Sequence, residues 1–159
     1  MSAPGTINGR CRVETIDAVS RLSFAIRLIF AACLFVATAN HLRACLEHGV
    51  FWDYGYGGGT PWGSRIFWAA LTVFDPLAAL LLFLRPQLGI ILTVAIIVAD
   101  VVHNTFYVAL HRQWLEMFYL SQVGFLLAVL LLAPIAWRQV RLRSTSDGSR
   151  CDLRQTPSR

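Results

Sequence analysis

Apolar residues fall in four long blocks separated by short polar or glycine-rich stretches: Leu22 to Leu42, Ile66 to Leu84, Gln87 to Leu110 and Leu115 to Trp137. Each block has about the 20 residues that a helix needs to cross a bilayer. The pattern predicts an all-α membrane protein, a four-transmembrane-helix antiparallel bundle with both termini cytoplasmic. Outside the spans it leaves an N-terminal segment 1–21, an aromatic and glycine-rich outer loop 43–65, and a basic tail 138–159 whose scarcity of apolar residues predicts an unstructured end. Within the N-terminal segment Val13, Ile16, Val19 and Leu22 recur every third position, the pattern of a short interfacial lead-in helix.

The third block is the unusual one. It carries Asp100, His103, Asn104 and Tyr107 at i, i+3, i+4 and i+7, which a helix gathers into one polar stripe. Val98, Ala99, Val101, Val102 and Phe106 are left for lipid or neighbouring helices. Ionisable groups at membrane depth cost at least a few kcal/mol and persist mostly where they face a bundle interior or a wet cavity. The other blocks supply further polar groups. Asn40 and His41 close the first, Thr72 and Asp75-Pro76 interrupt the second, and Glu116, Tyr119, Ser121 and Gln122 open the fourth. Proline inside a helix frees a carbonyl about one turn back and bends the chain. Arg85-Pro86 reads as a tight turn, so Asp75 and Asp100 come to similar depths, about 13 and 18 Å from the inner end. His103 and Gln122 are matched at about 22 Å. The polar groups therefore concentrate in the outer half, beneath Phe51, Trp52, Tyr54, Tyr56 and Trp62 of the loop, aromatic rings of the kind that settle at membrane interfaces.

Composition sharpens this picture. The chain is 159 residues long, 56% hydrophobic and 14% charged, and its formal charge of +5 comes from 14 arginines without a single lysine. The arginines flank apolar spans and form no basic face, which argues against nucleic-acid binding. Arg10, Arg12, Arg21, Arg85, Arg138, Arg141 and Arg143 lie on the side of the two termini, against Arg43, Arg65 and Arg112 on the other. The positive-inside rule then assigns the termini to the cytoplasm. Arg27, one and a half turns inside the first span, is expected to snorkel to the headgroups. A competing account makes residues 22–39 a secretory signal cut after Ala37-Thr38-Ala39, leaving three spans; the long apolar core and the acidic leader with Glu14 and Asp17 disfavour it.

Several chemistries lack their parts. Tyr54-Gly55-Tyr56-Gly57 shares letters with a potassium filter but has no preceding Thr-Val or pore-helix pattern, and Gly57-Gly58-Gly59 is followed by no phosphate-loop lysine. Cys11, Cys33, Cys45 and Cys151 contain no CxxC pair, and no disulfide within the chain is expected. His41, His48, His103, His111, Asp100 and Glu116 are suitable metal-ligand types without a tight motif, so no metal site is assigned.

Four spans with both ends inside, Arg27-Leu28-Ile29 early in span one and Ala39-Asn40-His41-Leu42 at its end resemble the DoxX-like family of small bacterial membrane proteins. Alanines such as Ala31 stand where that family commonly has glycine in its first helix. The resemblance implies a bacterial inner-membrane location and a respiratory or redox-partner role, often as an accessory subunit. The outer polar cluster is also similar to sterol isomerase-like bundles, where carboxylates and histidine shuttle a proton on a lipid, although no motif matches residue by residue.

Three functions are compatible with these features. One is a binding or accessory protein holding a small amphipathic or quinone-like ligand in an outward-facing pocket lined by Asn40, His41, Asp75, Asn104, Tyr107, Glu116 and Gln122. The second is an acid/base enzyme acting on a lipophilic substrate with Asp100 and His103 as its catalytic couple. The third is a proton-linked transport component using Asp75 and Asp100; beside these three stands a fourth, blander option, a purely structural subunit. The expected partners are membrane lipid, a small lipophilic ligand, and a protein partner or second copy of the chain. The identity of any cofactor is left open by the sequence.

Overall fold

A computed structural model describes residues 7–153, with side chains described over residues 20–138. The expectations for the lead-in side chains up to Val19, for Cys11 and Cys151, and for Arg10, Arg12, Arg141 and Arg143 lie outside the described residues. The chain is all-helical: α1 spans Ile7–His48, α2 Trp62–Leu84, α3 Pro86–His111 and α4 Met117–Leu153. Four stretches are long and apolar enough to cross a membrane, Ser20–His48, Trp62–Leu84, Pro86–His111 and Met117–Arg138, as in a multi-pass membrane protein. Each helix packs chiefly on two neighbours: α1 on α2 and α4, and α3 on the same two.

The helix ends have local causes. α1 runs past the expected Leu42 because Arg43 and Glu47, one turn apart, pair at 2.7 Å. It stops at Gly49, whose φ of +91° suits only a residue without a Cβ and whose N–H still reaches the Cys45 carbonyl. α2 begins four residues earlier than the apolar block suggests. Pro61 at its N-cap supplies a carbonyl to the N–H groups of Ser64 and Arg65. α4 begins at Met117, so Glu116 belongs to the connection, its carbonyl accepting from the Tyr119 and Leu120 N–H groups. At the far end the α4 backbone stays helical to Leu153, although composition predicts an unstructured tail from residue 138. Once a helix is nucleated, each further residue adds a hydrogen bond at small cost, and 139–147 contain neither proline nor glycine to stop it.

The interior divides along the bundle axis. Ile26, Phe30, Ala31, Leu34, Ala78, Ala79, Leu82, Ile90, Ile97, Val101, Val129, Ala133 and Ala136 form a mainly aliphatic core at the Arg85 end, drawn from all four helices. Trp68, Leu71 and Tyr107 form a second cluster at the loop end, covered by Tyr54, Tyr56, Phe67 and Ile96. On the outside, Val36 is 71% exposed, Val102 68% and Leu131 72%, an apolar surface suited to lipid.

Two contacts lock the Arg85 end. Arg85 alone separates α2 from α3, and its N–H donates to the Leu81 carbonyl. Gly89, one turn into α3, lies flat against the backbone of Leu81 and Leu82, where a Cβ would collide with main-chain atoms that cannot rotate away. Nearby, Arg27 reaches across from α1 to give Nη1–H to the Leu82 carbonyl at 3.0 Å and Nε–H to the Ser23 carbonyl at 3.3 Å. It thus satisfies a carbonyl in the last turn of α2 and places a cation at a helix C-terminus, where the peptide dipoles favour it. That anchoring goes beyond the snorkelling expected from sequence.

Gly89→Ala is expected to part α2 from α3 and to lower stability by about 1–3 kcal/mol, the range for overpacking a filled contact. Thermal unfolding of the full chain in one detergent tests this. An unchanged midpoint would show that the close approach is dispensable.

Candidate functional site

The polar residues meet at the loop end, between the aliphatic core and the aromatic loop. α2 contributes one stripe, Ser64, Trp68, Leu71 and Asp75, all buried and spaced three or four residues apart. α3 faces it with Asp100, Asn104 and Tyr107. Tyr107 donates its phenol proton to Ser64 Oγ at 2.6 Å, and Trp68 Nε1–H donates to Asn104 Oδ1 at 2.9 Å. The Asn104 amide nitrogen then donates twice, to Asp100 Oδ1 at 2.8 Å and to Gln122 Oε1 of α4 at 3.1 Å. One carboxamide therefore joins three helices. Beside it, Thr105 donates to the Val101 carbonyl at 2.6 Å, so the Tyr119 phenol, 2.9 Å away, is the donor to Thr105 Oγ1.

α1 and the loop build the other wall. His41 is buried, with Nδ1 2.7 Å from the Tyr54 hydroxyl and Nε2 3.9 Å from Asp75 Oδ2. The second distance is an ion-pair contact, too long for a direct hydrogen bond. Among the described residues Asp75 makes no hydrogen bond, although its side chain is only 3% exposed. Tyr54 arrives there by a backbone turn. Its φ of +54° is left-handed, a conformation that costs a non-glycine residue energy and is held by surrounding contacts. Those contacts are the His41 bond, the Trp52 ring at 4.8 Å and the Trp68 ring at 5.0 Å. The turn itself is pinned by Asp53, which accepts from the Gly55 N–H at 2.9 Å and pairs with Arg65 at 3.7 Å. Tyr56 closes the roof, its ring 4.7 Å from Tyr107 and its hydroxyl donating to Gln113 Oε1 at 3.2 Å.

Burial raises both loop phenols above the ordinary tyrosine range. For Tyr54 nearby Cys45, Asp100 and Asp75 reinforce the effect, and for Tyr56 Tyr107 and Glu116 do so. A negative charge on Tyr54 would thus be felt by both buried carboxyl groups.

The structure does not assemble all the residues expected of the site. His41, Asp75, Asp100, Asn104, Tyr107 and Gln122 come together. Asn40 is exposed on the outer side of α1, and Glu116 is exposed in the α3–α4 connection. His103 is half-buried at the border of the stripe. At about 100° per residue it lies about 60° to one side of Asp100, while Asn104 lies about 40° to the other. Its ring packs on Phe67 at 4.4 Å and Trp68 at 5.4 Å, and no hydrogen bond joins it to Asp100. Among the described residues two buried side-chain atoms lack a hydrogen-bond partner, His103 Nε2 and Thr60 Oγ1. Within the site, the imidazole–carboxylate pair at ion-pair distance is His41 with Asp75. Among the described residues no three His, Cys, Asp or Glu side chains converge as metal ligands, and Cys33 and Cys45 are free thiols.

Three participants are absent from the site as read from sequence: Trp68, Ser64 and Tyr54 as the partner of His41. The first two were visible as the continuation of Asp75 by helical spacing, 64, 68, 71, 75. Tyr54 had only a local cue, the Asp53-Tyr54-Gly55 turn signature, which shows a bend without its destination. Comparison with protein-family models, curated proteins and solved structures finds no match for this chain.

Asn104→Leu leaves Trp68 Nε1, Asp100 and Gln122 without their partner, and is expected to cost about 1–3 kcal/mol; denaturation in mixed micelles reports it, and a neutral effect would remove Asn104 as the node. Tyr54 titrates higher in the folded protein than unfolded, so its contribution to stability is complete below the ordinary tyrosine pKa of 10.0 and falls as pH rises beyond it. Ultraviolet difference titration should show a late phenolate component that Tyr54→Phe deletes. Early titration of that component would mean that the loop is not docked.

Proposed function

We propose that the chain is a DoxX-like protein of the bacterial inner membrane that binds a small amphipathic or quinone-like molecule at the loop-end polar site. In this reading it is an accessory subunit of a membrane redox system. The helices are antiparallel, both termini are cytoplasmic and the aromatic loop is outside. The arginine distribution and the order of facing residues support that topology, since Leu82 meets Gly89, Trp68 meets Asn104 and Ser64 meets Tyr107.

The observation that carries the binding role is unspent hydrogen-bonding capacity beside a satisfied network. Asn104 uses both its oxygen and its nitrogen, whereas Asp75 and His103 Nε2 are buried without a hydrogen bond among the described residues. A buried polar group left unpaired costs about 1–3 kcal/mol, and lipid offers no water to relieve it. Such groups are retained where something else completes them. The aromatic walls from Tyr54, Tyr56, Trp68 and Tyr107 suit an apolar body behind a polar head.

A second reading, a membrane acid/base enzyme, draws on one geometric fact. The sequence Tyr54–His41–Asp75 lines up a phenol, an imidazole and a carboxyl group, the parts of a general acid/base unit. His41 and Asp75 then take the role expected of His103 and Asp100.

Native mass spectrometry of the full chain, released gently from its own membrane, separates these readings from a structural role. A lipophilic adduct on the wild type that Asp75→Asn and His103→Ala lose is the expected result. Wild type free of any adduct would refute the binding role, an adduct found chemically altered after incubation would favour the enzyme, and a mass starting at Asn40 would remove the first span.

A further inference from the structure

The protonation pattern of His41 is determined from both sides. Tyr54 is 2.7 Å from Nδ1, and among the described residues its hydroxyl has no other hydrogen-bond partner. The half-buried phenol has one proton to place and no other acceptor beside it among the described residues, so Tyr54 donates and Nδ1 accepts. In a neutral imidazole the proton then resides on Nε2. Nε2 faces Asp75 Oδ2 at 3.9 Å, and an N–H pointing at a carboxylate is favourable where a lone pair would be repelled. Tyr54 and Asp75 thus select the same tautomer.

At 3.9 Å the two atoms do not bond directly, but one oxygen about 2.8 Å from each can bridge them. That oxygen must accept from Nε2–H and donate to Oδ2. A hydroxyl group does both, whether an alcohol's or that of a water the alcohol displaces. With Asp75 as a carboxylate, a carbonyl or ether oxygen accepts from Nε2–H but has no proton to give Oδ2. An ammonium donates to Asp75 but confronts Nε2–H with another donor. We propose that the His41–Asp75 pair recognises the free hydroxyl head of a lipophilic alcohol, with Tyr54 as the positioning residue that sets the imidazole tautomer. This rests on the reading of the loop-end site as one that binds an amphipathic molecule, and it selects the reduced, hydroxyl-bearing form of any carbonyl ligand over its oxidised form. Sites built to bond a hydroxyl discriminate strongly against analogues lacking it, because the protein groups are then left unpaired.

The test holds the apolar body constant and varies the head. Farnesol, farnesyl methyl ether, farnesal and farnesylamine are titrated against the full chain in one detergent, with Trp68 and the other tryptophans as the fluorescence readout. Farnesol is expected to bind about tenfold or more tightly than the other three, the value of one well-made hydrogen bond. Tyr54→Phe should lower that ratio, because Nδ1 is released and Asp75 alone is left to favour the proton on Nε2. Loss of packing alone would weaken all four probes equally and leave the ratio unchanged, which would remove Tyr54 from the proposal. Should Tyr54→Phe not fold, the wild-type ratios decide by themselves. Equal binding of farnesol with the ether, the aldehyde or the amine overturns hydroxyl recognition while leaving the amphipath-binding site intact. If no probe binds and the native protein also carries no lipophilic adduct, the binding reading falls with it.

Discussion

The Asn104 carboxamide is the contact on which the polar half of this bundle depends. Helices in lipid gain little from burying apolar surface against one another, since acyl chains are as apolar as leucine, and they associate through close packing and interhelical hydrogen bonds. Asn104 offers one acceptor and two donor hydrogens, and the structure uses both ends, towards Trp68 of α2, Asp100 of its own helix and Gln122 of α4. Asp100 is tolerable in the interior because of that arrangement. So is the position of Trp68, whose indole both bonds Asn104 and forms the floor beneath Tyr54 and Tyr56. Removing the amide would leave three helices each with a polar group facing nothing.

Against that satisfied side stands a less satisfied one. His41 and Asp75 sit across from the Asn104 network at an ion-pair distance, and His103 presents a buried nitrogen without a partner. The division follows from helix geometry. Asp100, Asn104 and Tyr107 point into the ring of four helices, whereas His103 is rotated towards Phe67. Asp75 is carried on the α2 face that also bears Ser64, Trp68 and Leu71. Rigid, fully bonded groups thus stand next to groups with spare hydrogen-bonding capacity, the first holding the second in place.

Much of this was legible in the sequence. Block length identifies four spans, and the third agrees with α3 to within a residue at each end. The period of the polar stripe finds Asp100, Asn104 and Tyr107, and depth alone brings Gln122 near them. The failures are equally physical. Hydropathy does not register caps, so Pro61 starts α2 before the apolar block does, and Glu116 falls outside α4. A window of polar residues at a span end does not reveal which way each one turns. Asn40 and His41 are adjacent in sequence, yet about 100° of helical rotation leaves one exposed and the other buried. The role of Tyr54 rests on a left-handed residue in a loop, beyond the reach of any periodicity.

The single residue between α2 and α3 also bears on how the chain is made. An aspartate at the centre of a lone helix raises the cost of moving that helix from the translocon into lipid by about 2.5–3.5 kcal/mol. α2 and α3 each carry one such group, Asp75 and Asp100, and Arg85 leaves them almost no slack to separate. With Gly89 already seated on Leu81 and Leu82, they can leave the translocon as one helical hairpin. Each acid is then shielded by the partner helix, and Trp68 has Asn104 within reach before α4 has been synthesised.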